Sequence, residues 1–387
     1  MTDLFADIRP YRDDEVENVI RRLLSDREFL GAVAMLRFGL MARWMPLLLQ
    51  PLVRYFLRRE VRGVTDVHGM QMVVRAYVER MIASTTSGFT ESGLGRLNMD
   101  QPYLYMSNHR DIALDPAFTN YALNKAGYQT VRIAIGDNLL TKPWVSDLMR
   151  LNKSFIVKRS LGGPRELLAA TRTLSRYIKQ SLLEEHSPIW IAQREGRAKN
   201  GLDQTEPAII KMLAMSRDKQ QQDFQDHIGC LKIVPVAISY ELDPCDGLKA
   251  AELCQLATHG SYEKADHEDV ASIAEGITGN KGRVHVSFGT PLAADFSTPD
   301  EVADEVDRQI IEQYCLHPTN IYAYRMLHGE NAALPDEVYV EEGDCSRREF
   351  EARIAALPSA HQPYAIAIYA NAVASKLALK SGAPASC

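Results

Sequence analysis

From residue 102 onward, short apolar runs alternate with segments of helical periodicity, and no other feature of the chain constrains its fold as strongly. The predicted strands are 102–107, 130–135, 154–158, 188–193, 231–240 and 284–288. The predicted helices are 116–126, 138–150, 164–185 and 206–216. Strands that alternate with helices build a largely parallel sheet covered by helices. The sequence therefore predicts an α/β fold with a mostly parallel sheet flanked by helices.

Helical extensions are predicted on both sides of this sheet. Residues 15–87 carry apolar residues at helical spacing, whereas Ser84–Asn98 predict a loop because they are rich in Ser, Thr and Gly. Residues 218–227 and 242–282 are polar insertions with little pattern. The C-terminal helical patterns are 299–314 and 360–380. The predicted regions are an N-terminal helical region (1–98), an α/β domain (99–298) and a C-terminal helical extension (299–387).

A histidine and an aspartate frame the turn that follows the first predicted strand. His109 and Asp115 lie six positions apart, directly after the apolar residues 103–106. On one continuous helix six residues turn by about 600°, so the two side chains would diverge. They can meet only if His109 lies in a turn and Asp115 opens the next helix. The Asp115-Pro116 pair favours such a start, with aspartate at the N-cap and proline at the first helical position.

A histidine beside a carboxylate is a common way to make a hydroxyl nucleophilic at neutral pH. The carboxylate holds the imidazole in one tautomer and stabilises the cation that forms when the ring takes a proton. Ligand sites in parallel α/β sheets also gather beyond the carboxyl ends of strands, which is where His109 falls. The competing interpretation is that Asp115 only caps a helix and His109 is an ordinary loop residue. The position of the pair at a strand–helix junction favours a site.

Four ordered blocks across residues 102–241 resemble the motifs of the glycerolipid acyltransferases, the family of glycerol-3-phosphate and 1-acylglycerol-3-phosphate acyltransferases. The run that contains His109 and Asp115 is similar to the family's His-x4-Asp signature. The other three blocks are Asn152–Ser160, where the family places an aromatic residue and, four positions on, an arginine; Arg194–Gly201, which is similar to the family's Glu-Gly-x-Arg-Ser run; and Ile233–Glu241, a strand that carries a proline. In the third of the four blocks, Arg194–Gly201, Glu195 lies one residue closer to Arg197 than in the family's pattern.

The resemblance implies a direct acyl transfer in which His109, oriented by Asp115, takes the proton from an acceptor hydroxyl. It also implies a phosphate site built mainly on Arg159 and Arg197, since arginine binds phosphate oxygens as a planar fork. Asn108 and backbone amides of the turn are candidates for stabilising the oxyanion. The full set of predicted substrate-binding residues is Asn108, Arg110, Lys158, Arg159, Glu195, Gly196, Arg197 and Lys199.

We predict an O-acyltransferase of phospholipid biosynthesis that moves a fatty acyl group from acyl-CoA or acyl-acyl carrier protein to glycerol 3-phosphate. The paired basic residues of the second and third blocks favour that acceptor, whereas the modest chain length favours the lysophospholipid 1-acylglycerol 3-phosphate. The second alternative is a non-catalytic lipid-binding protein of the same fold, against which the intact His109 and Asp115 argue. No bound cofactor or metal is predicted, because the chain lacks a Gly-x-Ser-x-Gly elbow, a Gly-x4-Gly-Lys loop and a His-Glu-x-x-His pair.

Composition narrows the partners and the compartment. A net charge of −6 over 387 residues argues against a nucleic-acid binder. The six cysteines form no Cys-x-x-Cys pair, which indicates a reducing compartment and neither a zinc site nor a disulfide framework. No uninterrupted apolar run reaches about 18 residues, so no spanning helix is predicted. The N-terminal residues show no signal-peptide pattern.

Residues 37–62 form a basic and apolar stretch within this acidic chain. They contain six arginines against one acid, Glu60, and they include the apolar run Trp44–Val53, which is short and holds two prolines. Such a stretch suits an anionic membrane surface. The alternative is a core helix whose arginines form a solvated face. Taken with the resemblance, the stretch predicts peripheral attachment to the cytoplasmic face of a membrane, within a membrane-associating N-terminal region.

Overall fold

The computed structural model describes residues 3–39, 41–265, 268–332, 334 and 343–381, with residues 42, 43, 46 and 47 described by backbone alone. Contacts divide the chain into two compact units. The first comprises residues 1–80 and 131–178, and the second comprises residues 81–130 and 179–387. The three-part division predicted at residues 98 and 298 stays a prediction.

The secondary structure alternates as the sequence predicts from residue 104 onward. The strands are β1 (Gly88–Ser92), β2 (Leu104–Ser107), β3 (Arg132–Gly136), β4 (Ser154–Val157), β5 (Ile189–Ala192), β6 (Ile233–Tyr240) and β7 (Arg283–Phe288). The helices are α1 (Asp13–Leu23), α2 (Arg27–Phe38), α3 (Met41–Trp44), α4 (Pro46–Glu60), α5 (Val67–Thr85), α6 (Leu114–Lys125), α7 (Pro143–Leu151), α8 (Pro164–Leu183), α9 (Pro207–Leu213), α10 (Phe224–Leu231), α11 (Asp246–His259), α12 (Glu268–Thr278), α13 (Pro299–Gln313), α14 (Pro318–His328), α15 (Arg347–Ala355) and α16 (Gln362–Ser381).

The first unit has a helical core and a pair of parallel strands, β3 and β4. Asp26 begins α2 by accepting a hydrogen bond from the amide of Phe29, as an N-cap residue does. The predicted helical spacing on α1 is confirmed, and α4 contributes a second buried row to the same core. The core residues on these two helices are Val16, Val19, Leu23, Leu49, Val53 and Leu57. Within the described ranges, no helix is both long and apolar enough to cross a bilayer.

The second unit carries strands in the order β1-β7-β6-β2-β5. All neighbours pair in parallel except β6 and β7, which are antiparallel. β2 lies between β6 and β5, so the turn that follows it opens between these two neighbouring strands. Helices flank the strands, with α6 against β7 and α13 against β6. The predicted α/β fold with a mostly parallel sheet is confirmed.

The loop predicted for residues 84–98 contains β1, so that prediction is wrong. β1 pairs with β7, and Thr90 Oγ1 hydrogen-bonds Nδ1 of His285 across the pair at 2.7 Å. Phe89 stacks on Phe118 of α6, with 5.6 Å between the ring centroids. The sequence of β1 carries no strand signal, because its residues are mostly small and polar. The strand is stabilised by these cross-strand and packing contacts and not by an apolar alternation.

The two segments predicted as irregular polar insertions form α10, α11 and α12. α11 and α12 show no apolar periodicity because the residues that they bury are polar or small. The buried residues of α12 are Ser272 and Gly276. Those of α11 are Asp246, Lys249, Ala250 and Glu252. In the C-terminal part the predicted helices at 299–314 and 360–380 correspond to α13 and α16, while α14 and α15 were not predicted.

Candidate active site

The predicted catalytic residues meet at the turn between β2 and α6. His109 Nδ1 lies 2.8 Å from Asp115 Oδ2, and the side chain of Asp115 is fully buried while that of His109 is 14% exposed. β2 ends at Ser107 and α6 begins at Leu114, so the histidine sits in the turn and the aspartate in the first turn of the helix. This is the arrangement that the six-residue separation requires.

Five residues separate His109 from Asp115, one more than in the His-x4-Asp signature that the run resembles. Two carboxylates fold the longer turn. Asp115 Oδ2 accepts hydrogen bonds from the amides of Arg110 and Asp111 at 2.6 and 2.9 Å. Asp111 Oδ1 accepts from the amides of Ala113 and Leu114, each at 2.9 Å. The prediction that Asp115 is the N-cap is therefore wrong: Asp111 binds the free amides where α6 starts, and the Asp115 side chain faces the histidine.

Asp111 and Asp115 lie in different electrostatic environments within the turn. Burial raises the pKa of Asp111, and the negative charge of Asp115 raises it further, although the amides of Leu114 and Ala113 oppose the shift. Asp115 accepts the larger set of hydrogen bonds, from the histidine ring, two backbone amides and the Tyr240 hydroxyl. Asp115 is thus the carboxyl group that faces the imidazole.

His109 is held in one orientation. Its ring lies edge-on to Trp190 of β5, with 5.9 Å between the ring centroids. The contact with Asp115 places the proton on Nδ1. Among the described residues no polar atom hydrogen-bonds Nε2, so this nitrogen can accept a proton from a bound hydroxyl group. The side chain is therefore arranged as a general base.

The third block reaches the same turn. The amide of Ala198 donates to the carbonyl of His109 at 2.8 Å. Arg197 Nη1 donates to the hydroxyl of Ser272 on α12 at 2.6 Å, and Lys199 forms an ion pair with Glu252 on α11. The structure thus brings Arg197 and Lys199 close to the histidine's turn, with polar partners from the helices that the sequence did not predict.

Two further residues of the third block lie at the surface of the protein. Glu195 and Gly196 are exposed, and the backbone of Gly196 is left-handed, with φ of 73°. A Cβ added at Gly196 would meet no atom within 4 Å. The space next to Gly196 is therefore open. The substrate-binding roles predicted for Glu195 and Gly196 stay predictions.

Asn108 and Arg110 point into the protein. The Asn108 amide donates to the Ile238 carbonyl at 3.0 Å and accepts from the Ile238 amide at 2.8 Å, which ties the turn to β6. Arg110 pairs with Asp203 at 2.6 Å, and its guanidinium lies over the ring of Tyr314, 5.5 Å from the centroid. The structure therefore places the Arg110 side chain in a buried ion pair. Their predicted contacts with substrate remain predictions.

The second block lies in the first unit. Lys158 forms an ion pair with Asp7, and the amide of Arg159 donates to Asp137 Oδ1 at 3.1 Å. The Arg159 side chain is exposed at the end of β4. Both residues thus follow a strand as predicted, and their part in binding a phosphate stays a prediction.

Lys249 supports the catalytic turn from α11. Its ammonium group donates to the carbonyl of Arg110 at 2.7 Å and pairs with Asp243, and the side chain is almost fully buried. Burial acts to raise the pKa of Asp243, but the charge and hydrogen bond of Lys249, together with the amide of Cys245 and the charge of Arg197, bring the pKa below its ordinary value. The buried lysine therefore retains a charged partner while it fixes the backbone next to His109.

Sequence reasoning missed several residues that shape the site. Tyr240, at the end of β6, donates its hydroxyl to Asp115 Oδ1 at 2.7 Å. Tyr240 lies in the fourth block and Asp111 in the first, so the motifs themselves could have pointed to both. Lys249 and Ser272 lie in the segment with no pattern, where no signal marked them. In the described part of the chain, no group of three or more His, Cys, Asp or Glu side chains is placed to hold a metal ion.

The strands around the buried His–Asp pair lie in a stretch that is similar to acyltransferases of glycerolipid synthesis. Residues 68–239 match the family model described as Acyltransferase. That stretch contains β1 to β5, the turn between β2 and α6 and all of β6 except Tyr240, so the match covers His109 and Asp115.

Curated proteins similar to this chain include dihydroxyacetone phosphate acyltransferases. The human protein is 22% identical over 206 residues, and the bovine protein (Bos taurus) is 23% identical over 207 residues. Each match covers 52% of this chain and 28% of the relative, so the chain spans little more than a quarter of these relatives. Among solved structures, the 1-acyl-sn-glycerophosphate (LPA) acyltransferase PlsC from Thermotoga maritima is 13% identical, with a TM-score of 0.37 over 76% of this chain and 94% of that one.

Proposed function

We propose that this protein transfers a fatty acyl group from an acyl thioester to a hydroxyl group of a glycerol phosphate in glycerolipid synthesis. The observation that carries the proposal is the 2.8 Å contact between His109 Nδ1 and Asp115 Oδ2, which leaves Nε2 available as a base. The donor is acyl-CoA or acyl-acyl carrier protein, since either presents the same thioester to the histidine.

The acceptor hydroxyl gives its proton to His109 Nε2 as its oxygen attacks the thioester carbonyl. Asp115 stabilises the imidazolium that results, because its carboxylate is buried against the ring. The imidazolium then returns the proton to the departing thiolate as the C–S bond breaks. One ester forms, one thioester is consumed and His109 ends in its starting protonation state, without a covalent acyl-enzyme.

We propose glycerol 3-phosphate as the acceptor, with 1-acylglycerol 3-phosphate as the alternative. The similar curated proteins are named for dihydroxyacetone phosphate, which also pairs a hydroxyl group with a phosphate. Arg197 supports a phosphate acceptor, because the next residue, Ala198, is hydrogen-bonded to the carbonyl of His109. A phosphate held there would fix which hydroxyl faces His109.

Turnover of a defined thioester tests the proposal. The purified chain is given oleoyl-CoA or oleoyl-acyl carrier protein together with glycerol 3-phosphate, dihydroxyacetone phosphate or 1-acylglycerol 3-phosphate. His109→Ala should lower acyl transfer about 10²–10⁴-fold, the usual share of a general base. His259→Ala, an exposed histidine at the end of α11, is the matched control and should keep normal activity. Thiol release that matches between wild type and His109→Ala, or lipid binding without any turnover, would contradict the proposal.

We also propose that the first unit docks peripherally on an anionic membrane surface through α3 and α4. Leu49, Val53 and Leu57 of α4 face the core, yet the opposite side of the same helix is apolar and exposed. The exposed large apolar side chains of α3 and α4 are Met41, Trp44, Leu48, Leu52, Tyr55 and Phe56. Arg58, Arg59 and Arg62 follow at the end of this helix and are also exposed. Apolar and aromatic side chains beside arginines are the combination that an interface of anionic lipid attracts.

A further inference from the structure

Asp115 is fixed at both carboxylate oxygens. Oδ2 binds His109 and the two amides of the turn, and Oδ1 accepts the hydroxyl of Tyr240 at 2.7 Å. Tyr240 is the last residue of β6, and its side chain is buried, with its ring edge-on to Phe118 at 5.8 Å between centroids. The Tyr240 hydroxyl therefore reaches Asp115 from the end of β6, whereas His109 lies in the turn after β2.

We propose that Tyr240 is a positioning residue for acyl transfer, which holds the Asp115 carboxylate in the plane that His109 needs and tempers its negative charge. The proposal rests on the proposed function, in which His109 must be neutral to accept a proton. A hydroxyl that donates to Oδ1 withdraws charge from the carboxylate, so the carboxylate stabilises the imidazolium less than an unshared one would. Tyr240 thereby keeps His109 neutral to lower pH.

The hydroxyl is suited to this task because it stays protonated. Burial and the charges of Asp115 and Asp111 hold the pKa of Tyr240 far above its ordinary value, so it is a donor at every pH at which the protein works. The titratable groups around the pair come from four places: Asp111 in the same turn, Tyr240 at the end of β6, Asp243 just beyond it, and Lys249 on α11.

Replacing Tyr240 with phenylalanine removes one hydroxyl and leaves the ring that packs on Phe118. Without that donor the charge of Asp115 is fully available to the imidazolium, so the protonated form of His109 should be stabilised. The acidic limb of the kcat/KM profile should therefore move to higher pH. At neutral pH kcat should fall about tenfold, because the carboxylate loses the hydrogen bond that orients it, while KM for both substrates stays the same.

The pKa of His109 is read directly by NMR titration of the imidazole in the full chain labelled at histidine, with the His109 signal assigned by its loss in His109→Gln. Tyr105→Phe is the matched control, since Tyr105 is another buried tyrosine, on β2, and no hydrogen bond links its hydroxyl to Asp115. A raised His109 pKa and a shifted acidic limb in Tyr240→Phe, with neither change in Tyr105→Phe, support the proposal. An unshifted titration in a folded Tyr240→Phe overturns it, and so does an equal shift in Tyr105→Phe.

A second variant keeps the proposal testable if Tyr240→Phe does not fold. A fluorinated tyrosine at position 240 preserves the shape of the ring and has a more acidic hydroxyl, which is a stronger donor. It should lower the pKa of His109, the opposite of the phenylalanine effect, and an unchanged value overturns the proposal. If the wild type turns over no thioester, the proposed function fails, yet the NMR titration still decides whether Tyr240 controls His109.

Discussion

At the scale of single residues, the site depends on buried charges that each hold more than one neighbour. Asp115 orders His109, two backbone amides and Tyr240, and Lys249 joins Asp243 to the backbone beside the histidine. Leaving a buried charge without a partner is costly. Substitutions in this group should therefore change orientation and stability together. Arg197 donates to the neutral hydroxyl of Ser272, and its loss leaves Asp243 paired with Lys249, so it can be removed with a smaller effect on stability.

Arg197→Ala tests the phosphate assignment at this scale. If Arg197 binds the acceptor phosphate, its loss removes a hydrogen bond to a charged group, worth about 1.5–3 kcal/mol. The KM of the acceptor should rise about ten- to a hundredfold, with little change in the KM of the thioester. Ser272→Ala removes the resting partner of the guanidinium together with a contact to Cys245 Sγ, and it serves as the control. An effect confined to the thioester would assign Arg197 to the donor side.

At the scale of elements, helices outside the family's four blocks hold the blocks in place. α11 and α12 provide partners for Lys199, Arg197 and the Arg110 carbonyl. α16 lies against the end of the third block, where Asn371 donates to the carbonyl of Asn200 at 2.8 Å. α13 joins the segment just after that block. The catalytic turn is therefore supported by elements that come much later in the chain.

Gly201→Ala tests the contact between the third block and α16. Gly201 has φ of 80°, and an added Cβ would lie 2.1 Å from the carbonyl oxygen of Ile368. Because that atom is backbone, the helix must move, and we expect a loss of stability beyond the ~1 kcal/mol of a left-handed alanine. Gly260→Ala is the matched control, with φ of 73° and no atom within 4 Å of the added Cβ. Thermal unfolding of the two variants compares them, and equal losses would show that α16 does not bear on the block.

Asp307 of α13 gives the molecule a pH-dependent contact. It accepts hydrogen bonds from the amide and hydroxyl of Thr205 at 2.8 and 2.6 Å. Burial raises the pKa of Asp307 to about 7; the bonds from Thr205 oppose this, and the charges of Asp203 and Asp304 add to it. A carboxyl whose folded pKa lies above its unfolded value binds its proton more tightly in the folded state. Its effect on stability is therefore most favourable at low pH and is lost as pH rises toward 7.

Asp307→Asn should remove this penalty, since the amide stays neutral and can still accept from Thr205. The variant should melt about 2–4 °C above the wild type at pH 8, the shift that roughly 1 kcal/mol produces in a domain of this size. At pH 5 the gap should be smaller, and it should close near pH 4, where the carboxyl is protonated in the unfolded state as well. Calorimetry at these pH values measures the difference, and a gap that does not change with pH would rule out titration of Asp307 as its cause.

At the scale of the whole molecule, the two units present different surfaces. The first exposes the apolar and basic side chains of α3 and α4, and the second carries the His–Asp pair. Reversing Arg58, Arg59 and Arg62 to glutamate should weaken binding to anionic vesicles by about 3 kcal/mol or more, over a hundredfold, because each basic residue contributes about 1 kcal/mol.

Co-sedimentation with vesicles, followed as salt rises, measures that loss. Trp44→Ser should reduce the remainder that resists salt, because it removes a side chain that is 83% exposed and apolar. Lys219, Lys264 and Arg348, exposed basic residues of the second unit, provide a control reversal of equal charge. If both triple variants lose the same amount of vesicle binding, the cause is a general effect of net charge. If binding does not depend on the charge of the lipid, α4 is an ordinary surface helix.

The sequence predicted the strands from β2 to β7 and the pairing of His109 with Asp115, because apolar runs and the strand–helix junction are local signals. It failed where stability comes from distant partners. β1 depends on His285 and on the rings of α6, and α12 depends on the close approach of Gly276 to Asp111, where a Cβ would lie 2.3 Å from Oδ2. The hydrogen bond from Tyr240 to Asp115 has no local signal, because it forms only when β6 lies beside β2.

The longer turn between β2 and α6 bears on how such proteins are found. The His–Asp pair closes across five intervening residues because Asp111 and the amides it orders absorb the additional one. A pattern that demands a gap of four would pass over this chain, although its imidazole and carboxylate meet at an ordinary hydrogen-bonding distance. A pattern that allows either gap, and asks for a tyrosine at the end of the proline-bearing strand, would retain it.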